Sequence, residues 1–276
     1  MPWHAKLDLA YSVESARTVA RYIHKGPLRI LQSLYPEGDA ICHNVLVHPP
    51  GGLVGGDTLE VQISADTGAH GLVTTPGATR FYRSEGAPAL QHTRIRLSPG
   101  ARLEWLPLEA ICYSGCLAEN RLEMDLAPGA ELMGWDLTAL GLPAAHQPFN
   151  TGNLLQHIEL KDRWRERGRI DAHDVRLMDG PLGLAGQRCV ASIFLCSGDK
   201  LQRPRVQQLL DGARAVIDEH AARALAGATS PNDHVVLVRM LSPMVEPAML
   251  LLRRIRDEWR RVAWHCTGQP PRIWST

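Results

Sequence analysis

Polar and apolar residues alternate along the first two-thirds of the chain. In Glu60-Val61-Gln62-Ile63-Ser64, Thr93-Arg94-Ile95-Arg96-Leu97-Ser98 and Arg121-Leu122-Glu123-Met124-Asp125-Leu126 every second residue is apolar. That is the pattern of a strand with one buried face. Each segment is followed by a related turn: Asp66-Thr67-Gly68-Ala69, Ser98-Pro99-Gly100-Ala101 and Ala127-Pro128-Gly129-Ala130. Glycine supplies the positive φ that such turns require, and a preceding proline presets the bend. Gly68 and Gly100 are 32 residues apart, Gly100 and Gly129 29 apart. A strand–turn–strand unit returning about every 30 residues is an internal repeat and predicts stacked β-layers.

The period changes after residue 200. Val206, Leu209, Leu210, Ala213, Val216, Ile217 and Ala221 fall at helical spacing, with Pro204 near the start and Gly227 beyond the end. Val235-Val236-Leu237-Val238 reads as a strand. A second helix is predicted from Pro247, with Ala248, Leu251, Leu252, Ile255, Trp259 and Val262 on one face. Its other face carries Arg253, Arg254, Arg256, Arg260 and Arg261, expected to be a solvated basic surface in preference to a partner-binding one. The tail Gln269–Thr276, with two prolines, is expected to be loose. The fold expected is mainly β, layered and β-helix-like, with a small C-terminal part of about two helices. We expect one domain over 1–276, with a β-layered portion 1–200 and a helical portion with a strand at 201–276 packed on it.

Composition narrows the classes. Hydrophobic residues make up 45% and charged residues 21% of 276, ordinary globular values. Thirty basic against 29 acidic side chains leave a formal charge of +1, so no bulk charge draws the chain to nucleic acid or membrane. The charge is split: 18 basic and 22 acidic groups to residue 199, then 12 and 7. No apolar run reaches the roughly 18 residues that span a bilayer. No basic segment leads into an apolar stretch at the N-terminus, and with six cysteines, few for this size, a disulfide framework is not needed for stability. A cytoplasmic protein is expected.

Candidate chemistry centres on two segments. His48-Pro49-Pro50-Gly51-Gly52-Leu53-Val54-Gly55-Gly56-Asp57 predicts a sharply folded loop through which backbone approaches another group closely. A strand follows it and no Lys-Ser/Thr pair ends it, so it is neither a phosphate loop nor a dinucleotide fingerprint. Thr74-Thr75-Pro76-Gly77-Ala78-Thr79-Arg80-Phe81-Tyr82-Arg83 suits either an anion-binding turn or a capped β-turn. Asp57, Glu109 and Asp136 recur near layer edges, and stacked layers would set them in one file. Such a file suits a glycosidase acid–base pair or a line of hard oxygen ligands for a passing cation. Cys112 and Cys116 lack a second Cys/His pair for a structural zinc site. There is no His-Glu-x-x-His and no Gly-x-Ser-x-Gly elbow.

Together these segments resemble the urease accessory protein UreD (UreH) family. The matching pieces are Gly26-Pro27-Leu28, His48 to Asp57, Thr74 to Ser84, Leu103-Glu104-Trp105-Leu106-Pro107 with Glu109, and Leu140-Gly141 to Phe149 with Gly152. They run in family order across essentially the whole chain. Arg80 stands where many relatives have lysine, and Leu108, Leu142 and His146-Gln147 also depart from the common pattern. The resemblance implies a β-helix-like, non-enzymatic scaffold for urease maturation. It implies direct binding to UreF, contact with the GTPase UreG through UreF, and docking on apo-urease. It further implies nickel in transit rather than a tightly bound cofactor or a stable metal site, with Asp57, Thr79 and Asp136 lining an internal route. The competing expectations are a β-helical carbohydrate-active enzyme using Asp57, Glu109 or Asp136 as acid and base, and an anion-binding module built on Thr74–Arg83.

Overall fold

Strands and glycine turns wind the chain into a three-walled coil of about four turns in this computed structural model, which describes residues 2–275. The first wall is a seven-stranded sheet. Its central strands His4–Glu14, Thr58–Ala65, Ala89–Leu97, Cys116–Leu126 and Gly152–Leu160 run parallel. The second wall stacks Ile41–Val47, His70–Thr74, Arg102–Leu106 and the first half of Glu131–Leu142. The third is short: Gly52–Leu53, Thr79–Phe81, Ala110–Cys112 and the second half of Glu131–Leu142.

The predicted repeat is the turn of this coil. Arg102 stands opposite His70, 32 residues earlier, and opposite Glu131, 29 residues later. Gly68, Gly100 and Gly129, with φ of 74°, 69° and 76°, make the same corner in successive turns. The next interval stretches to 36 residues, from Cys116 to Gly152. There the chain makes a detour through the 3-10 turn Pro143–Ala145 and returns as Gln147–Pro148 against Gly141 and Leu142.

Antiparallel strands close the ends. Arg17–Lys25 folds back on His4–Glu14 through a two-residue turn in which Ser15 and Ala16 both have positive φ, 48° and 66°. This is the geometry of a hairpin whose turn follows the strand twist. Trp164–Asp171 covers the other end. The second wall is extended by Cys189–Ser197 and by the hairpin Ala226–Asn232 with Val235–Ser242. The C-terminal part thus holds two strands where the pattern predicted one. A one-turn helix, α1 (Val175–Asp179), is capped by Asp174, whose carboxylate accepts from the Leu177 N–H at 3.0 Å.

Two apolar cores share the second wall. Inside the coil lie Leu59, Val61, Ile63, Val73, Leu103, Trp105, Leu122 and Leu132. On the outer face Leu72, Leu106, Met133, Trp135 and Ile193 meet α2 (Arg203–Asp218) and α3 (Val245–Trp259). Leu251, Leu252, Ile255 and Trp259 of α3 are fully buried, each worth about 1.5–3 kcal/mol in area removed from water.

The basic face that begins on α3 is only in part a solvated surface. Arg254 and Arg261 pair with Glu219 and Glu258 near the surface, but Arg256 and Arg260 are fully buried. Glu104, also fully buried, accepts from Arg256 Nε and from Arg260 Nη1, both at 2.8 Å. Arg260 pairs in addition with Glu37, which accepts from His43 Nε2 at 2.8 Å. Glu131 pairs with Arg205 and accepts from Trp264 Nε1 at 2.7 Å. Acids of the β-layers therefore absorb part of the positive excess that follows residue 200. The tail is held too. Trp274 lies 5.2 Å from the Trp135 ring, sits under Arg253 and donates to Thr74 Oγ1 at 2.8 Å. The last residue of the predicted loose tail, Thr276, lies outside the described residues.

Candidate functional site

Polar side chains cluster at one level of the largely apolar interior. Leu59, Gln91, Asn120 and Gln156 form one row across the first wall. Thr79, Ala110 and Thr138 form another on the third wall. Asp136 joins the two. Its carboxylate accepts from Asn120 Nδ2 at 3.0 Å and from Thr138 Oγ1 at 3.3 Å, and it is hydrogen-bonded to Gln156. Burial raises the Asp136 pKa and outweighs these hydrogen bonds, so the carboxyl holds its proton to a higher pH than an exposed one. Gln156 Oε1 is buried and without a partner.

Thr79 and Gln91 line a cavity of about 170 Å³ together with His48, Gly51, Leu59, Trp105 and the Thr75–Arg80 turn. Nearby, the Cys112 thiol is pushed well up by its hydrogen bond to Cys116, then by burial and by the charge of Asp136. A protonated thiol is a poor metal ligand. Among the described residues no three His, Cys, Asp or Glu side chains are placed to hold a metal ion.

The glycine-proline loop performs the close approach its composition predicts. A Cβ on Gly52 would lie 2.3 Å from the Tyr82 ring, which packs 5.0 Å from that of Tyr113. Pro49 and Pro50 are exposed at the loop's tip, Gly51 and Gly56 have φ of 73° and 87°, and Gly55 abuts the carbonyl of Ala87. Asp57, only 1% exposed, ends the loop as an anchor. Its Oδ1 accepts from the Trp3 N–H at 3.1 Å, its Oδ2 from the Val54 N–H at 3.0 Å.

The threonines of the second segment fasten neighbouring turns. Thr74 Oγ1 donates to the Leu106 carbonyl at 2.7 Å. Thr75 Oγ1 donates to the Gly77 carbonyl at 3.0 Å and accepts from the Leu108 N–H at 2.9 Å. Pro76 and Arg80 are exposed on the same turn. The capped-turn reading fits Thr75, whose hydroxyl is spent on backbone, while Thr74 bonds the Leu106 carbonyl and the Trp274 indole.

Asp57, Glu109 and Asp136 do not share one file. Asp136 points into the coil, whereas Glu109 lines a separate cavity of about 210 Å³ with Cys189 and Glu246. Burial, Glu109, Glu246 and Asp136 together push the Cys189 thiol up to about 12. Strand alternation explains the split: Asp136 has the parity of the interior residues Leu132 and Leu140, opposite to outward Met133 and Trp135. Asp57, committed to two backbone amides, is not free to serve as an acid or base.

The family profile described as UreD urease accessory protein matches residues 4–275. The chain belongs to the UreD family. The urease accessory protein UreD of Polaromonas naphthalenivorans (strain CJ2) is 66% identical over 275 residues, covering 100% of both chains. Those of Variovorax paradoxus (strain S110) and Leptothrix cholodnii are 63% and 55% identical, also end to end. As a UreD family member the chain is an accessory protein of urease maturation and not an enzyme.

Sequence reasoning missed the partners of Asp136 in this UreD family member. Gln91 and Asn120 carried a usable signal. They stand at the inward parity of Ile95 and of Leu122 and Met124, where a polar residue breaks the apolar pattern.

Proposed function

We propose that this chain is a cytoplasmic, non-catalytic scaffold that acts with UreF, and with the GTPase UreG bound through UreF, to dock on apo-urease. In that assembly it helps deliver nickel to the nascent active site through its own interior, holding no cofactor tightly. The observation that carries this reading is the part-buried, inward-facing Asp136 carboxylate among Asn120, Thr138 and Gln156, in a coil whose interior is mostly apolar. A carboxylate is costly to bury without a partner or a task.

The donor set suits transit. One carboxylate with amide and hydroxyl oxygens admits a hard or borderline divalent cation, yet offers too few strong ligands to retain it. Thr79 would line the approach from the neighbouring cavity. Asp57 would contribute by fixing the loop around it, with its carboxylate committed to two backbone amides.

The test is Asp136→Asn, which keeps the side chain's size and removes its charge, in cells expressing the chain with urease and its other accessory proteins. We expect the complex to co-purify as before while urease nickel content and activity fall at least several-fold. Normal nickel content with Asn at this position would refute the internal route. Co-purification of the parent chain with none of these proteins would refute the scaffold itself.

A further inference from the structure

The first wall has two unpaired margins, and they differ in chemistry. At the first-turn end Arg17–Lys25 pairs only with His4–Glu14, in an uninterrupted antiparallel register. The Thr18 N–H turns away from that ladder and donates to the Asp39 carbonyl at 2.9 Å. Backbone direction alternates with period two along a strand, so the N–H and C=O groups of Ala20, Tyr22 and His24 also point away. Among the described residues no hydrogen bond from outside the ladder reaches them.

Large apolar side chains gather around this edge. Ile23 is 76% exposed and Leu31 51%, with Tyr22 also exposed. The Tyr22 hydroxyl donates to the Leu31 carbonyl at 3.4 Å, which places Leu31 beside the strand. Arg17 and Arg21 are committed to Asp39 and Glu14, whereas Lys25 makes no ion pair among the described residues. A groove of about 810 Å³ runs from Tyr22 and Ile23 across the sheet towards Arg96. At the opposite margin, Trp164–Asp171 carries Arg165, Arg167 and Arg169 at alternate positions, the charged pattern that keeps an edge unpaired.

We propose that Ala20–His24 is the docking edge for an extended segment of a partner protein, which adds to the sheet as one more strand. Its apolar side chains would cover Ile23 and Leu31, and an acidic side chain would meet Lys25. A helix cannot fill this role, because its own backbone groups are already paired within it. A second copy of this chain would bring its own Arg17, Arg21 and Lys25 to the same edge, with Arg21 against Arg21 and Arg17 against Lys25 in the register centred on Arg21. Like charges in direct opposition destabilise such a pair, and an acidic strand reverses that term. Strand addition to an open edge draws affinity from the backbone and specificity from alternate side chains.

The inference rests on the proposed assembly only for the choice of complex. Amide hydrogen exchange of the chain alone is compared with that of the complex purified from cells co-expressing urease and its other accessory proteins. We expect exchange at Ala20, Tyr22 and His24 to slow at least about tenfold in the complex. A complex in which these amides exchange as in the free chain overturns the docking edge and leaves the scaffold standing. No complex at all overturns both. Ala20→Pro gives a second reading: it removes an outward N–H and spares the ladder to His4–Glu14, a position where an edge tolerates proline. It should weaken assembly about tenfold with an unchanged melting temperature, and Lys25→Glu should weaken it while Lys25→Arg does not. Unimpaired assembly by both Ala20→Pro and Lys25→Glu overturns the proposal.

Discussion

Replacing Glu104 by Gln removes one charge from the centre of the latch that fixes α3 to the coil. Glu104, Arg256 and Arg260 are all fully buried, and the one carboxylate serves both guanidinium groups at 2.8 Å. Removing one partner of a buried pair costs about 3–5 kcal/mol, because the remaining charge stays in low dielectric uncompensated. Here Arg260 keeps Glu37 and Arg256 keeps Asp257 at 3.1 Å, which places the expected loss near the lower end, about 3 kcal/mol. For a chain of this size that is about 6–12 °C in melting temperature, read by tryptophan fluorescence at pH 7. The pH dependence follows with its own sign. Burial alone would raise the Glu104 pKa, but Arg256, His70 and Arg260 overcome it and hold the carboxyl far below its ordinary 4.5. Glu37 is also lowered: burial opposes the shift, and the hydrogen bond from His43 and the charge of Arg260 outweigh it. A depressed carboxylate contributes stability above its unfolded pKa and loses it as protons bind the unfolded chain. The parent should therefore lose stability as pH falls below about 4.5, and its margin over Glu104→Gln should narrow there. A variant melting within about 1 °C of the parent at pH 7 would refute the latch.

Two further outcomes are expected. Ala16→Gly should raise the melting temperature by about 2–4 °C, because a side chain at φ 66° carries roughly 1 kcal/mol of strain that glycine does not; an unchanged or lower value would show that the turn is unstrained. Trp274→Ala should cost about 2 kcal/mol, less than for a fully buried tryptophan because Trp274 is half-buried. It should also speed proteolysis of the tail, and protease resistance equal to the parent's would show that the Trp135 and Thr74 contacts do not hold it.

What the sequence determined by itself was the coil. Period-two alternation and the Gly68, Gly100 and Gly129 corners are local properties of backbone and solvent, and recurrence at 32 and 29 residues turns local strands into stacked rungs. The glycine-proline loop was legible for the same reason: Gly52 announces a close approach, although not that Tyr82 is what approaches. Only the tertiary structure decided which charges are buried. Arg254 and Arg256 lie in α3 and Arg260 and Arg261 in the π-helical turn Arg260–Trp264 that continues it, and nothing in that segment separates the buried pair from the other. The difference is Glu104, 152 and 156 positions away. The same holds for the acids, since Asp57, Glu109 and Asp136 look alike in the sequence. One closes a turn with two backbone amides, one lines an outer cavity, and one lies inside the coil beside Asn120. A side chain's charge is written in its own residue, but the cost of burying that charge depends on what the fold brings opposite it.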